Sequence, residues 1–282
     1  MPRLPPHAVQ GELKPLANVR NIIAVGSGKG GVGKSTVTVN LALALAAEGL
    51  RVGVLDADIY GPSIPMMLGL SGRPESPDGK HILPLRAHGV EAMSIGLLVD
   101  QDAAMIWRGP MVTQALTQML NETRWDDLDV LLLDLPPGTG DIQLTLAQKV
   151  PVAGAVIVTT PQDVATLDAR RALAMFRKVG IAVLGLVENM AVHVCRQCGH
   201  AEHVFGAGGG ERMAAQYDVP LLGALPLELA IREQGDAGVP LVAALPQSPA
   251  AQAYREAARA LLARLQQQPA LRSGIMASLL GD

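Results

Sequence analysis

Residues 27–36 read Ser-Gly-Lys-Gly-Gly-Val-Gly-Lys-Ser-Thr, and within them Gly28 to Ser35 satisfies the pattern G-x-x-x-x-G-K-[ST]. Glycines at this spacing let successive backbone N–H groups turn toward phosphate oxygens. The final lysine, Lys34, then reaches the β- and γ-phosphates, and the Ser35 hydroxyl binds magnesium. The residues arrayed around the phosphates are Gly28, Lys29, Gly30, Gly31, Val32, Gly33, Lys34, Ser35 and Thr36. A loop of this kind needs one lysine, and the additional Lys29 suggests a dimeric machine.

Phosphoryl transfer is mainly positioning and charge stabilisation, so the useful partners are groups that hold magnesium and aim a water at the γ-phosphate. Asp134 ends an apolar run and is placed to hold the magnesium shell, directly or through water. Asp56 and Asp58 end a second run two residues apart, and side chains alternate along a strand, so both can project to one side. Asp58 is expected to position the attacking water, and Asp56 to support the magnesium shell. Gly138 follows two prolines, and its free N–H is expected to sense the γ-phosphate.

The chain's two cysteines form Cys195-Arg196-Gln197-Cys198. Two cysteines placed at random in a chain this long would fall three apart about one time in 140, so the spacing reads as selected. A pair of thiolates grips one metal from one side, whereas a structural zinc or a cubane cluster wants about four ligands. One completion is a symmetric dimer that contributes Cys195 and Cys198 twice, around a bridging [4Fe-4S] cluster. Another is a single-chain zinc site finished by His193, His200 or His203, and a third is a redox disulfide or a pair that binds no metal. A thioredoxin-like role is disfavoured, because Cys198 leads into Gly199-His200 and not into a helix-forming run.

Each of these groups needs an element to aim it. Asn21–Ser27 is a short apolar run, and 35–48 is rich in alanine and leucine, which places the phosphate loop between a strand and a helix N-terminus. Arg51–Leu55, Val130–Leu133, Gly154–Thr160, Ile181–Val187 and Leu221–Leu225 add strands, and Val164–Lys178 adds a helix. Continuous apolar strands with carboxylates at their C-terminal ends predict an α/β fold, a doubly wound, mostly parallel sheet. Residues 1–19 read as an extended lead-in rather than a packed element. Residues 20–268 read as one domain with a loop-rich insertion over about 61–108, containing a short strand near Val90–Ile95, and a cysteine loop over about 189–210. Residues 248–268 read as a solvated surface helix with an alanine face, and 269–282 as a tail.

The residues also resemble a known family. Gly28-Lys29-Gly30-Gly31-Val32-Gly33-Lys34-Ser35 is similar to the deviant phosphate loop of the MinD, ParA and nitrogenase iron protein class of P-loop ATPases. In that class the early lysine, here Lys29, reaches the partner's phosphates across a nucleotide-sandwich dimer. Asp56-Ala57-Asp58-Ile59-Tyr60-Gly61-Pro62-Ser63, Trp107-Arg108-Gly109-Pro110, Asp134-Leu135-Pro136-Pro137-Gly138-Thr139-Gly140-Asp141, Thr160-Pro161-Gln162-Asp163 and Glu188-Asn189-Met190 resemble the Mrp/ApbC branch of iron-sulfur cluster carriers. The resemblance runs from about Val19 to about Ala263. It implies ATP hydrolysis, a homodimer with a bridging cluster, apo iron-sulfur proteins as recipients and an assembly scaffold as a candidate donor. It also implies an adenine contact at Asn189 and a base-lining role for Pro226–Glu228. Many bacterial members carry a small extra domain before the loop, and this chain begins in what resembles the linker after it.

Composition trims the alternatives. With 49% hydrophobic residues, a formal net charge of -3 and 2% aromatics, the chain offers neither a basic stripe nor a base-stacking surface, so nucleic acid is not an expected partner. No apolar run spans a membrane and no apolar segment marks a secretory signal, so a cytoplasmic location is expected. A positioning ATPase of the MinD/ParA type would need a basic or strongly amphipathic surface element. Electron transfer as in the nitrogenase iron protein would need cluster cysteines far apart in sequence.

Overall fold

The structure is a computed structural model that describes residues 3–11, 13–98 and 109–271. Trp107 and Arg108 of the family motif, and the tail beyond 271, lie outside the described residues. In chain order the first elements are β1 (Ile22–Ser27), α1 (Lys34–Ala47), β2 (Val52–Asp56), α2 (Ile64–Met67), β3 (Leu85–Ala87) and β4 (Val90–Ser94). Then come α3 (Gly109–Glu122), β5 (Val130–Asp134), α4 (Asp141–Lys149), β6 (Gly154–Thr159), α5 (Asp163–Lys178) and β7 (Val183–Glu188). The last are β8 (His193–Val194), β9 (Ala201–Glu202), α6 (Gly209–Tyr217), β10 (Leu221–Ala224), α7 (Leu229–Asp236), α8 (Leu241–Ala244) and α9 (Pro249–Gln266).

Eight strands form one sheet in the order β10-β7-β6-β1-β5-β2-β4-β3, parallel throughout except for β3 at the edge. β1, β2, β5 and β6 are buried along their whole length, which is why they read as unbroken apolar runs. Alternate side chains feed two cores: Ile23 and Val25 face the layer of α1, α8 and α9, while Ile22 and Ala24 face the layer of α3 to α6. The fold is therefore doubly wound, and the ligand crevice of such a sheet lies at the C-terminal ends of its strands.

Three expectations need correction. The strand expected near Val90–Ile95 is present as β4, but the segment 61–98 is no separate insertion, because β4 joins the main sheet parallel to β2, with Asp56 opposite Ser94, and β3 turns back on it. The lead-in is extended but packed: Leu4, His7 and Gln10 are buried, and the Gln10 carboxamide donates to the carbonyls of Ala147 and Val150 at the end of α4. Its backbone also pairs with the end of the chain, His7 bridging Ala270 while Ala8 N–H donates to the Pro269 carbonyl and Leu271 N–H to the Pro6 carbonyl.

The C-terminal helix, read as solvated, buries Ala250, Ala251, Tyr254, Ala257, Ala258, Leu261 and Leu265 against α1 and β10. Alanine here permits close approach: a Cβ on Gly223 of β10 would lie 3.0 Å from that of Ala257. Burying Leu261 and Leu265 stabilises by about 1.5–3 kcal/mol each. α1 is buried on nearly every side as a result, consistent with the apolar run from Leu41 to Ala47 that follows its polar first turns. Arg255 and Arg259 of α9 clasp Glu48 at the C-terminus of α1 and fix how the two helices dock.

Candidate functional site

The phosphate loop runs from the end of β1 into α1. Gly31 and Gly33 take φ of +81° and +80°, a region that strains any residue with a Cβ. Gly28 is required for a different reason: a Cβ there would come within 2.0 Å of the backbone of Asp168 on α5. Lys34 opens α1, so the unpaired N–H groups of the helix start face the cleft, where an anion is favoured. The cleft, about 250 Å³, is lined by the loop from Lys29 to Thr36 together with Asp58, Ser63, Met67 and Pro137.

Asp134 is the hub of this cleft. The register sets β5 between β1 and β2, with Asp134 opposite Val25 on one side and Asp56 on the other. Its fully buried carboxylate meets Lys34 Nζ at 2.8 Å and accepts the Ser35 hydroxyl at 2.6 Å. The Thr38 hydroxyl, one turn further along α1, lies 2.7 Å from the other carboxylate oxygen. Ser35 and Asp134, with Asp58 lining the same cleft, are hard oxygen donors of the kind that suit magnesium.

The two aspartates after β2 divide their roles. Asp58 lines the cleft, and its carboxyl is raised above the ordinary carboxylate range by burial, an effect that nearby Lys34 opposes. Asp56 lies behind the cleft wall. It accepts hydrogen bonds from the N–H groups of Asp58 and Ile64 and from the Ser94 hydroxyl, and so holds the 58–64 turn. Its carboxyl is pushed up to about 7 by burial and by the charge of Asp134. With its oxygens committed to these bonds, Asp56 would serve a bound magnesium by bracing the wall behind Asp134. The N–H of Gly138 is not free as expected: it donates to the Ser27 carbonyl at 3.1 Å, in a turn where Gly138 has φ of +99°. Proline at 136 and 137 leaves that amide as the first donor of the turn, and β1 takes it.

A second cavity, about 190 Å³ and mostly apolar, adjoins the cleft and shares Gly33, Thr36 and Met67 with it. Its walls include Met66, Asn189, Met190 and the segment Pro226–Glu228. Asn189 is buried and donates its carboxamide N–H to the Val32 carbonyl at 2.9 Å, which ties β7 to the phosphate loop.

Beyond β7 the chain forms a small hairpin, β8 paired with β9, whose turn carries both cysteines as free thiols. Cys195 donates its N–H to the His200 carbonyl and accepts Gly199's N–H on its own carbonyl. Its thiol is held below the ordinary range by the N–H groups of Cys198 and Gln197 and by the Cys198 thiol. That arrangement favours the thiolate, the form that binds metal. His193 and His203 spend Nδ1 on the carbonyls of Leu227 and Ala191. Among the described residues no group of three His, Cys, Asp or Glu side chains is gathered as a metal site.

The family model of the NUBPL iron-transfer P-loop NTPases, within the ParA group, matches residues 18–262. The chain belongs to that family. It is 64% identical over 235 residues to the iron-sulfur cluster carrier protein of Pseudomonas fragi, covering 83% of this chain and 82% of that one. It is 63% identical over 221 residues to the carrier protein of Escherichia coli K12, covering 78% of this chain and 60% of the relative, so it spans less than two thirds of that relative's length. The nucleotide-binding protein of Archaeoglobus fulgidus, solved with ADP, superposes with a TM-score of 0.70 at 39% identity, covering 78% of this chain and 87% of that one.

For this member of the NUBPL family the structure adds residues that the motifs did not mark. Thr38 has a legible signal, since it lies four residues after Lys34 and so on the same helix face. Ser94 had none, because its approach to Asp56 depends on β4 entering the sheet. Gln143 of α4 donates to the Pro136 carbonyl and braces the turn that carries Gly138. Met66 and Met67, from the short α2, complete the apolar cavity. Among the described residues no helix is long and apolar enough to cross a membrane.

Proposed function

We propose that this chain is an ATP-hydrolysing carrier that holds an iron-sulfur cluster as cargo on Cys195 and Cys198 of two protomers and passes it to apo-proteins. The observation that carries the reading is the cysteine turn: two free thiols, one biased toward thiolate, with no further ligand gathered among the described residues, on a chain with an intact phosphate cleft. A cubane cluster wants four thiolates, and a two-fold axis through this turn supplies them. The names of the Pseudomonas and Escherichia relatives support the cargo assignment.

In this reading Lys34 and the loop amides bind the phosphates. Ser35 and Asp134 would hold magnesium, with Asp56 behind them, and the ion would supply positive charge beside the phosphate oxygens. Asp58 orients the attacking water. Lys29 makes no side-chain hydrogen bond or ion pair among the described residues and is only partly buried, which leaves it available to a partner's phosphates. Adenine occupies the apolar cavity beside Asn189 and Pro226–Glu228. Apo iron-sulfur proteins receive the cluster, an assembly scaffold supplies it, and the cytoplasm is the setting.

Anaerobic reconstitution with iron and sulfide tests the reading, with absorbance, iron content and mass compared between the wild type and Cys195→Ala. The expected result is a broad visible chromophore on a dimer, lost in the variant. A monomer that takes up zinc and develops no chromophore would overturn it.

A further inference from the structure

The wall of the apolar cavity and the stem of the cysteine hairpin are the same two stretches of chain. After β7 ends at Glu188, the chain passes Asn189 and Met190, which line the cavity, and then runs alongside 225–227. Ala191 N–H donates to the Leu225 carbonyl at 2.9 Å, and Leu227 N–H donates to the Val192 carbonyl at 2.8 Å. The next residue is His193, whose Nδ1 donates to the Leu227 carbonyl at 2.9 Å. Leu227 thus lines the cavity with one side and holds the hairpin through both its backbone groups. Cys195 follows two residues later.

We propose that His193 is a positioning residue that ties the cysteine turn to the nucleobase cavity, so that a base seated against Leu227 sets the placement of Cys195. This rests on the assignment of that cavity to the base. Besides the two backbone bonds of its stem, the hairpin is held by two side-chain bonds, that of His193 to the Leu227 carbonyl on the cavity wall and that of His203 to the Ala191 carbonyl within its own stem. Each of its strands is two residues long, and a two-stranded hairpin of this size is marginal by itself. Val194 and Val204 on either arm are 42% and 52% exposed, so packing contributes little. A segment with few buried contacts opens at low cost, and of its two side-chain bonds the His193 bond is the one made to a residue that lines the cavity, so it carries the cavity's position to the turn. The link differs from one that runs through the phosphates, which would act by way of the 136–140 turn and Gly138.

Alkylation of Cys195 by iodoacetamide, followed by mass spectrometry on the reduced full chain without cluster, reads the link directly. The probes are ADP, which fills both cavities, and inorganic tripolyphosphate, which fills only the phosphate cleft. ADP is expected to change the wild-type rate by about fivefold, the lower end of coupling between sites, while tripolyphosphate leaves it unchanged. His193→Ala is expected to abolish the ADP response while binding ADP within about twofold of wild type. His193→Asn, which keeps an N–H donor, is expected to restore the response. The proposal is overturned if ADP leaves the wild-type rate unchanged, if tripolyphosphate acts as strongly as ADP, or if the response survives in His193→Ala. Loss of ADP binding in His193→Ala, or failure of His193→Asn to rescue, overturns it equally. No step uses iron or sulfide, so a failed cluster reconstitution and a failed thiol response are separate results.

Discussion

Thr38 offers a sharp test of how the cleft is held. Its hydroxyl lies 2.7 Å from Asp134 Oδ1 and 2.9 Å from the Lys34 carbonyl, but it carries one proton, and the carboxylate is the stronger acceptor. Thr38→Val keeps the shape and removes the donor. Asp134 is 0% exposed, so water cannot replace the lost partner without disturbing the packing. A hydrogen bond to a buried charge contributes about 1.5–3 kcal/mol. At about 2 °C per kcal/mol for a chain of this size, the variant should melt about 3–6 °C lower. The same loss frees Asp134 to rotate away from Ser35, so the magnesium concentration for half-maximal ATPase activity should rise about tenfold, the equivalent of about 1.4 kcal/mol. Thr38→Ser keeps the donor and loses one methyl, so it should cost about 1 kcal/mol of stability and leave the magnesium dependence unchanged. Thermal unfolding and ATPase assays across a magnesium titration measure both quantities. A Thr38→Val protein with wild-type melting and wild-type magnesium dependence would refute the reasoning, as would a Thr38→Ser protein that shows the full magnesium shift.

Lys34→Ala should abolish nucleotide binding by calorimetry, whereas Lys29→Ala should retain ADP binding and lose hydrolysis that depends on protein concentration; equal behaviour of the two variants would remove the distinction between them. Glu48 is held below its ordinary value of 4.5 chiefly by its bond to Arg259 and then by Arg255, so its stabilising contribution is complete above that value and is lost as pH falls through the lowered one. The stability gap between wild type and Glu48→Gln in urea should therefore be constant at neutral pH and close in acid, and a gap that widens on acidification would contradict the ion cluster. Tyr254 is fully buried and its hydroxyl has no hydrogen-bond partner among the described residues, with the phenol pushed well above its ordinary range by burial and by Glu228. Tyr254→Phe should raise stability by about 1 kcal/mol, because a buried unpaired hydroxyl costs about that much or more, and a clear loss of stability would show that the hydroxyl is satisfied after all.

Much of the architecture was legible because its causes are local. The strands from Ile22, Val52, Val130 and Gly154 read as apolar runs since each is buried on both faces of one sheet, and the edge strand from Leu221 was legible although only partly buried. The phosphate loop was legible because glycine at 31 and 33 is demanded by backbone angles that neighbouring residues cannot relieve. The cysteine pair was legible because both thiols lie in one turn. The long-range partners were not. Thr38 and Asp134 are 96 residues apart, and Asp56 and Ser94 are 38 apart. Their meeting depends on β5 inserting between β1 and β2 and on β4 extending the sheet.

The alanine face of α9 looked like a weak surface stripe, since composition cannot show that small side chains let a helix approach β10 closely enough to bury it. The amide of Gly138 looked free until β1 supplied the Ser27 carbonyl. By itself, then, the sequence determined which groups can bind phosphate, magnesium and metal, because those capacities reside in residue type and in backbone conformation over a few positions. Only the tertiary structure decided which oxygens face the cleft, which brace it from behind, and that the hairpin carrying Cys195 grows out of the wall of the neighbouring cavity. Those outcomes follow from strand order and register, which are set by how the whole core packs.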